Sequence, residues 1–130
     1  YSVTVIDDRQ EFANEEKFPT ADRLEVGDIA ACLKAVEINR RTYLVIVTRG
    51  HACDEEALHA VVNRQAAYIG MIGSQRKVDL VFRNLEEKGV SAAALKKVHA
   101  PIGLDIGGNT PMEIALSIAA QLQQVRYGKK

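Results

Sequence analysis

Residues able to do chemistry gather in four short segments of this 130-residue chain. They are Asp7-Asp8-Arg9, Thr48-Arg49-Gly50-His51 with Asp54 just beyond, Gly73-Ser74-Gln75-Arg76, and Asp105-Ile106-Gly107-Gly108-Asn109. Asp7 and Asp8 close an apolar run, where an acid can bond the hydroxyls of a ribose or serve as a solvated turn or helix cap. His51 beside Asp54 is a candidate acid/base pair or a ligand, against the plain alternative of a surface-turn histidine. Gly73 and Ser74 end a short apolar stretch and open a helix. A helix start carries unpaired N–H groups and partial positive charge, so with Arg76 and Lys77 nearby it is a natural anion site. Geometry alone also explains the pair, since Gly allows a tight turn and Ser caps a helix. Pro101 to Gly108 holds more glycine than a strand tolerates, which suits either close backbone approach to a ligand or a loop needing positive φ.

The elements that must position these segments follow from periodicity. Val3, Val5 and Ile6 read as a buried strand and Arg23–Val26 as a minor one. Tyr43–Val47 is the strongest strand, Tyr68–Gly73 a further one, and His99–Leu104 a last short one. Helices are expected over Gln10–Lys17, after Gly27-Asp28 with Asp28 as N-cap, and from near Asp54 with Glu55 and Glu56 in the first turn. Others are expected from about Arg76 to Lys88, over Ala92–Lys97 behind Ser91, and after Thr110-Pro111-Met112-Glu113, a capping box with proline at the first helical position. Ile114, Ile118, Leu122 and Val125 give that last helix an apolar face, and Tyr127–Lys130 makes a polar tail. Strands alternating with helices define an α/β protein with a mainly parallel sheet covered on both faces. In such sheets ligands bind beyond the carboxyl ends of the strands, and all four polar segments leave strands at that edge.

Composition narrows the partners. The chain has 17 basic and 17 acidic residues and 3 histidines, a balance that argues against bulk binding to nucleic acid or to an anionic membrane. No apolar run is long enough to span a bilayer, and no signal-peptide pattern opens the chain. Cys32 and Cys53 lack metal-ligand spacing and suit a reducing cytosol. Cys53 is either a reactive thiol at a helix start or a small buried residue. His51, His59 and His99 are not spaced as ligands, so no protein-ligated metal is expected.

Four stretches taken together are specific. Val3–Phe12 (VTVIDDRQEF), Thr48–Asp54 (TRGHACD), Tyr68–Val78 (YIGMIGSQRKV) and Ala100–Ile118 (APIGLDIGGNTPMEIALSI) resemble the carboxyl-terminal domain of the xanthine dehydrogenase accessory factors, the XdhC/CoxI-type maturation proteins. The resemblance implies a Rossmann-like domain that binds the molybdenum cofactor (molybdopterin type), supports its sulfuration and hands it to a molybdenum hydroxylase apo-enzyme. A cysteine desulfurase would be a further partner. The family's domain opens with a strand and a Gly-Ala-Gly-His-like turn, which would lie before Tyr1. That first strand and glycine-rich turn are missing here, so the sheet is expected to be completed by upstream sequence of its own polypeptide or by a homodimer. The whole of residues 1–130 is read as one such domain.

The cofactor contacts nominated are Asp7, Asp8, Arg9, Arg49, Gly50, His51, Gly73, Ser74, Arg76, Asp105, Gly107 and Gly108. Candidates for catalysis are His51 and Asp54, although a cofactor-binding maturation factor is favoured over an enzyme with its own turnover. Two other functions fit the fold. One is an NAD(P)-binding oxidoreductase domain using Asp7 and Asp8, for which the companion Gly-x-Gly-x-x-Gly turn is absent. The other is a non-catalytic protein-docking module.

Overall fold

A computed structural model describes residues 1–128; Lys129 and Lys130, the end of the expected polar tail, lie outside the described residues. The chain divides into two compact units, residues 1–37 and Ile38 onward. Among the described residues strand pairing is parallel throughout, as two ladders of two strands each.

In the first unit, β1 (Thr4–Asp7) pairs with β2 (Arg23–Val26), Thr4 opposite Arg23 and Asp7 opposite Val26. The Asp22 carboxylate accepts from Val3 N at 2.7 Å and fixes the start of that ladder. α1 (Ile29–Ala35) begins where the sequence indicates, with Asp28 accepting from Ala31 N, and buries Leu33. The helix expected over Gln10–Lys17 does not form. Phe12 N and Ala13 N both donate to Arg9 O, and the chain runs on as turns. Asn14 is the physical reason: its side chain donates to Gln10 O and accepts from Lys17 N, taking over groups a helix would pair internally.

In the second unit, β3 (Tyr43–Ile46) pairs with β4 (Tyr68–Met71), Tyr43 opposite Tyr68 and Ile46 opposite Met71. α2 (His51–Val61) is the crossover between them, so β3–α2–β4 is a βαβ unit. α3 (Gln75–Glu87), α4 (Ala92–Lys96) and α5 (Pro111–Arg126) follow. Leu58 and Val61 of α2, Met71 of β4, and Val81 and Leu85 of α3 are all at 0% exposure. Each such side chain contributes about 1.5–3 kcal/mol by leaving water. All four residues of β4 are buried, as a strand covered on both faces requires.

Three expectations for this unit need correction. α2 begins at His51, three residues before the expected start near Asp54, because Asp54 N already donates to Gly50 O and extended Gly50 serves as N-cap. Glu55 and Glu56 therefore lie beyond the first turn. The strand expected over His99–Leu104 shrinks to a single parallel bridge between Gly70 and His99. Pro101 has no N–H to continue a ladder. From Gly103 the chain instead bonds to α5: Gly103 N donates to Gln121 Oε1 at 2.9 Å, and Leu104 N to Ser117 O at 3.1 Å. Both halves of the capping box on α5 are present. Its expected apolar face is only half-buried, and its buried residues are the polar Ser117 and Gln121.

Candidate functional site

β3 and β4 end side by side, and Ile72 N donates to Ile46 O at 2.9 Å just past the ladder. The loops leaving them are Val47–Gly50 and Ile72–Ser74. What joins the two is Asp54. Its carboxylate, at 0% exposure, accepts from Thr48 N at 2.9 Å and from Thr48 Oγ1 at 2.6 Å through one oxygen. The other oxygen pairs with Lys77 Nζ of α3. A fully buried carboxylate is stable only when bonded and paired in this way. Asp54, a candidate for catalysis on sequence, is thus an internal tie with both oxygens engaged. Lys77 is turned inward to meet it.

α3 opens at the same rim. Ser74 is its N-cap and accepts from Lys77 N at 3.2 Å. Gly73 has φ +146°, and a Cβ there would lie 2.7 Å from Lys77 Cδ, so the inward lysine requires glycine at this turn. Outside the rim, a shallow groove of about 520 Å³ is lined by His51, Ser74, Arg76, Lys77, Asp79, Leu80 and Arg83. Gln75 Nε2 holds Asp79 at 2.8 Å. Arg76 and Arg83 are exposed, and among the described residues neither guanidinium has an ion-pair partner. They stand seven residues apart, roughly 10 Å along the helix. The groove therefore combines a helix start, a histidine and two available guanidiniums, an arrangement suited to an anionic ligand longer than a single phosphate.

The other nominated residues are placed as follows. Arg49 is exposed and Gly50 half-buried on the loop before α2. Cys53 is half-buried in the first turn of α2 and free. Asp105, Gly107 and Gly108 are exposed and do not line the groove; both glycines take positive φ, +87° and +88°. Their segment begins beside the end of β4, since Ile102 N donates to Met71 O at 3.0 Å. Asp7, Asp8 and Arg9 belong to the first unit. There Arg9 Nε bonds Asp7 Oδ1 at 3.1 Å and lies 3.7 Å from Asp8 Oδ1. The Arg9 hydrogen bonds hold the Asp7 carboxyl below its usual pKa. Arg9 also stacks over Phe12, 3.9 Å from the ring centre. Asp7 is consequently a partner of its own turn before it is a partner of any ligand.

Reading the sequence alone missed Asp79, Leu80, Arg83 and Gln121, and placed Thr48 on the polar rim without its bond to Asp54. Arg76, Leu80 and Arg83 follow helical spacing on the side away from Val78, Val81 and Leu85, a signal that could have found them. Gln121 interrupts the apolar stripe between Ile118 and Leu122. It accepts from Tyr68 Oη at 2.5 Å and from Gly103 N, and donates to Gly103 O at 3.3 Å. Tyr68 also stacks on His99, ring centres 4.6 Å apart. Burial pushes the Tyr68 hydroxyl pKa up and the His99 imidazole pKa down.

A βαβ core with its polar groups at the strand ends defines a Rossmann-type α/β domain. The chain belongs to the XdhC Rossmann domain family, whose model matches residues 1–122. It is 35% identical over 127 residues to the uncharacterized protein YqeB of Escherichia coli strain K12, covering 97% of this chain and 23% of that protein. It is 28% identical over 126 residues to a probable xanthine dehydrogenase component of Bacillus subtilis strain 168, covering 97% and 36%. The crystal structure of a xanthine dehydrogenase from Bacillus halodurans matches with a TM-score of 0.82 at 30% identity, over 98% of this chain and 36% of that one. The chain thus spans between about a quarter and a third of the length of these relatives. Among the described residues no helix is long and apolar enough to cross a membrane.

Proposed function

We propose that this chain is the cofactor-binding domain of a factor that matures molybdenum hydroxylases such as xanthine dehydrogenase. In this reading it holds the phosphorylated pterin of the molybdenum cofactor, or a nucleotide, in the groove at the strand ends. The observation that carries the reading is the available pair Arg76 and Arg83 beside the Ser74-capped start of α3, on a rim fixed by Asp54. The residues present fit the pterin's phosphate: Ser74 and the first backbone N–H groups of α3 would receive it, with Arg76 and His51 alongside. The molybdenum centre, when bound, supplies redox chemistry to the hydroxylase, while this chain's residues bind and orient its organic part. Support for the biological setting comes from the names of the relatives, two of which are xanthine dehydrogenase components or structures. Sulfuration, hand-over to the apo-enzyme, an accompanying cysteine desulfurase and a cytoplasmic setting belong to the same proposal. The free thiols of Cys32 and Cys53 suit the last of these.

The test uses the complete polypeptide that carries this chain. Arg76→Ala with Arg83→Ala is expected to weaken binding of a phosphorylated pterin roughly tenfold or more. It should also lower the activity of a co-expressed molybdenum hydroxylase without lowering the amount of hydroxylase protein. Tight NADH binding with turnover of a hydroxy or carbonyl substrate would replace this reading with the oxidoreductase one. A stable complex with the hydroxylase and no ligand binding would replace it with the docking one.

A further inference from the structure

We infer that Asp54 is a positioning residue that makes the two strand-end loops of the second unit one mechanical element, so that loosening either loop loosens both. The carboxylate is completely buried and reaches across from α2 in two directions. Toward the loop after β3 it takes Thr48 N and Thr48 Oγ1 on one oxygen. Toward α3 it takes Lys77 Nζ on the other. Asp54 N donates to Gly50 O at 3.0 Å, so the residue that carries the carboxylate is itself bonded to the N-cap residue of α2. Lys77 N bonds the Ser74 hydroxyl, so the lysine held by Asp54 is also the residue that receives the cap of α3. One carboxylate therefore connects the starts of both helices that border the groove.

This connection divides the cations at the rim. Lys77 commits its charge to Asp54 and acts on the groove through position, whereas Arg76, one residue earlier, keeps its charge for a ligand. The two adjacent residues should then differ in kind. Losing Arg76 removes one unit of charge from the site and flattens the dependence of ligand affinity on salt. Losing Lys77 frees the Asp54 carboxylate and loosens both loops, so it lowers affinity and speeds amide exchange at the rim together, whereas losing Arg76 leaves exchange as it is. This consequence for binding rests on the function proposed above. The coupling of the loops does not.

Amide hydrogen exchange on the full chain tests the coupling directly. Thr48→Val removes a hydroxyl from the loop after β3 and leaves α3 chemically untouched. It should nevertheless speed exchange at residues 77 and 78 roughly tenfold, because the carboxylate that holds Lys77 has lost a donor and is partly unsatisfied. Asp54→Asn should speed exchange at Thr48 and at residues 77 and 78 together, while Leu58–Val62 and Val81–Leu85 keep their protection. Asp54→Glu, which keeps the charge, should restore part of it. If Asp54→Asn fails to fold, the Thr48→Val and Lys77→Met proteins decide alone. Faster exchange confined to the mutated loop, or no change in either variant, overturns the inference. A parallel titration with a phosphorylated pterin at several salt concentrations separates the two claims. If the unaltered protein binds nothing, the proposed function falls and the exchange result still decides the coupling.

Discussion

At the scale of single residues, the ionisable groups sort into those that hold the fold and those that face solvent. Lys77 and Arg76 adjoin each other on α3 and belong to opposite groups. Lys77→Met leaves a fully buried carboxylate without its counter-charge, which costs about 3 kcal/mol; Arg76→Ala should cost well under 1 kcal/mol. Urea midpoints at unchanged slope would register the contrast. His99 supplies a pH dependence. Burial lowers its pKa from 6.5, so the folded state resists a proton that the unfolded state accepts. Stability should hold steady above the unfolded pKa of 6.5 and fall as pH drops below it toward the folded value. His99→Phe keeps the stacking on Tyr68 and should flatten that decline, read as urea midpoints between about pH 7.5 and 5. Sequence reading located the polar rim but not these pairings. Asp54 and Lys77 are separated by 23 positions, and nothing local announces that they meet.

At the scale of elements, legibility followed how far each element is governed by its own residues. Ser74, Ser91, Asp28 and Thr110 cap their helices as expected, because a cap is a contact made within about three residues. Thr110→Ala should destabilise α5 by about 1 kcal/mol, seen as earlier loss of helical signal on heating. Elements that depend on partners were not legible. Gln10–Lys17 departs from expectation for a local reason instead: it has helical composition, yet Asn14, within the segment itself, diverts its backbone. His99–Leu104 has strand composition, yet beyond the bridge to Gly70 its groups turn to α5. The face of α5 looked aliphatic, while the residue that holds the Pro101–Leu104 segment is Gln121. Gln121→Leu would leave the Tyr68 hydroxyl and Gly103 N–H without their partner, costing about 2 kcal/mol or more. Gln121→Glu keeps the acceptor but sets a buried carboxylate with no counter-charge against Gly103 O, so it should not rescue the loss.

At the scale of the whole molecule, the α/β class and its parallel pairing were legible because alternating strands and helices admit few other solutions. The division into two units was not, since it depends on how the ladders close: β1 with β2 and β3 with β4. Of the four polar segments, those after β3 and β4 are joined through Asp54, and the groove beside them gathers His51, Ser74, Arg76 and Arg83. The family model runs through both units to residue 122, so the site belongs to a domain found within longer relatives. The central claim is that this groove receives a phosphorylated ligand. Titration of the complete polypeptide that carries this chain, isotope-labelled, with a phosphorylated pterin and followed residue by residue by NMR, tests it most directly. The account predicts saturable shifts centred on His51, Ser74, Arg76 and Arg83, abolished by Arg76→Ala with Arg83→Ala. Saturable shifts centred elsewhere, or none at millimolar ligand, would contradict it.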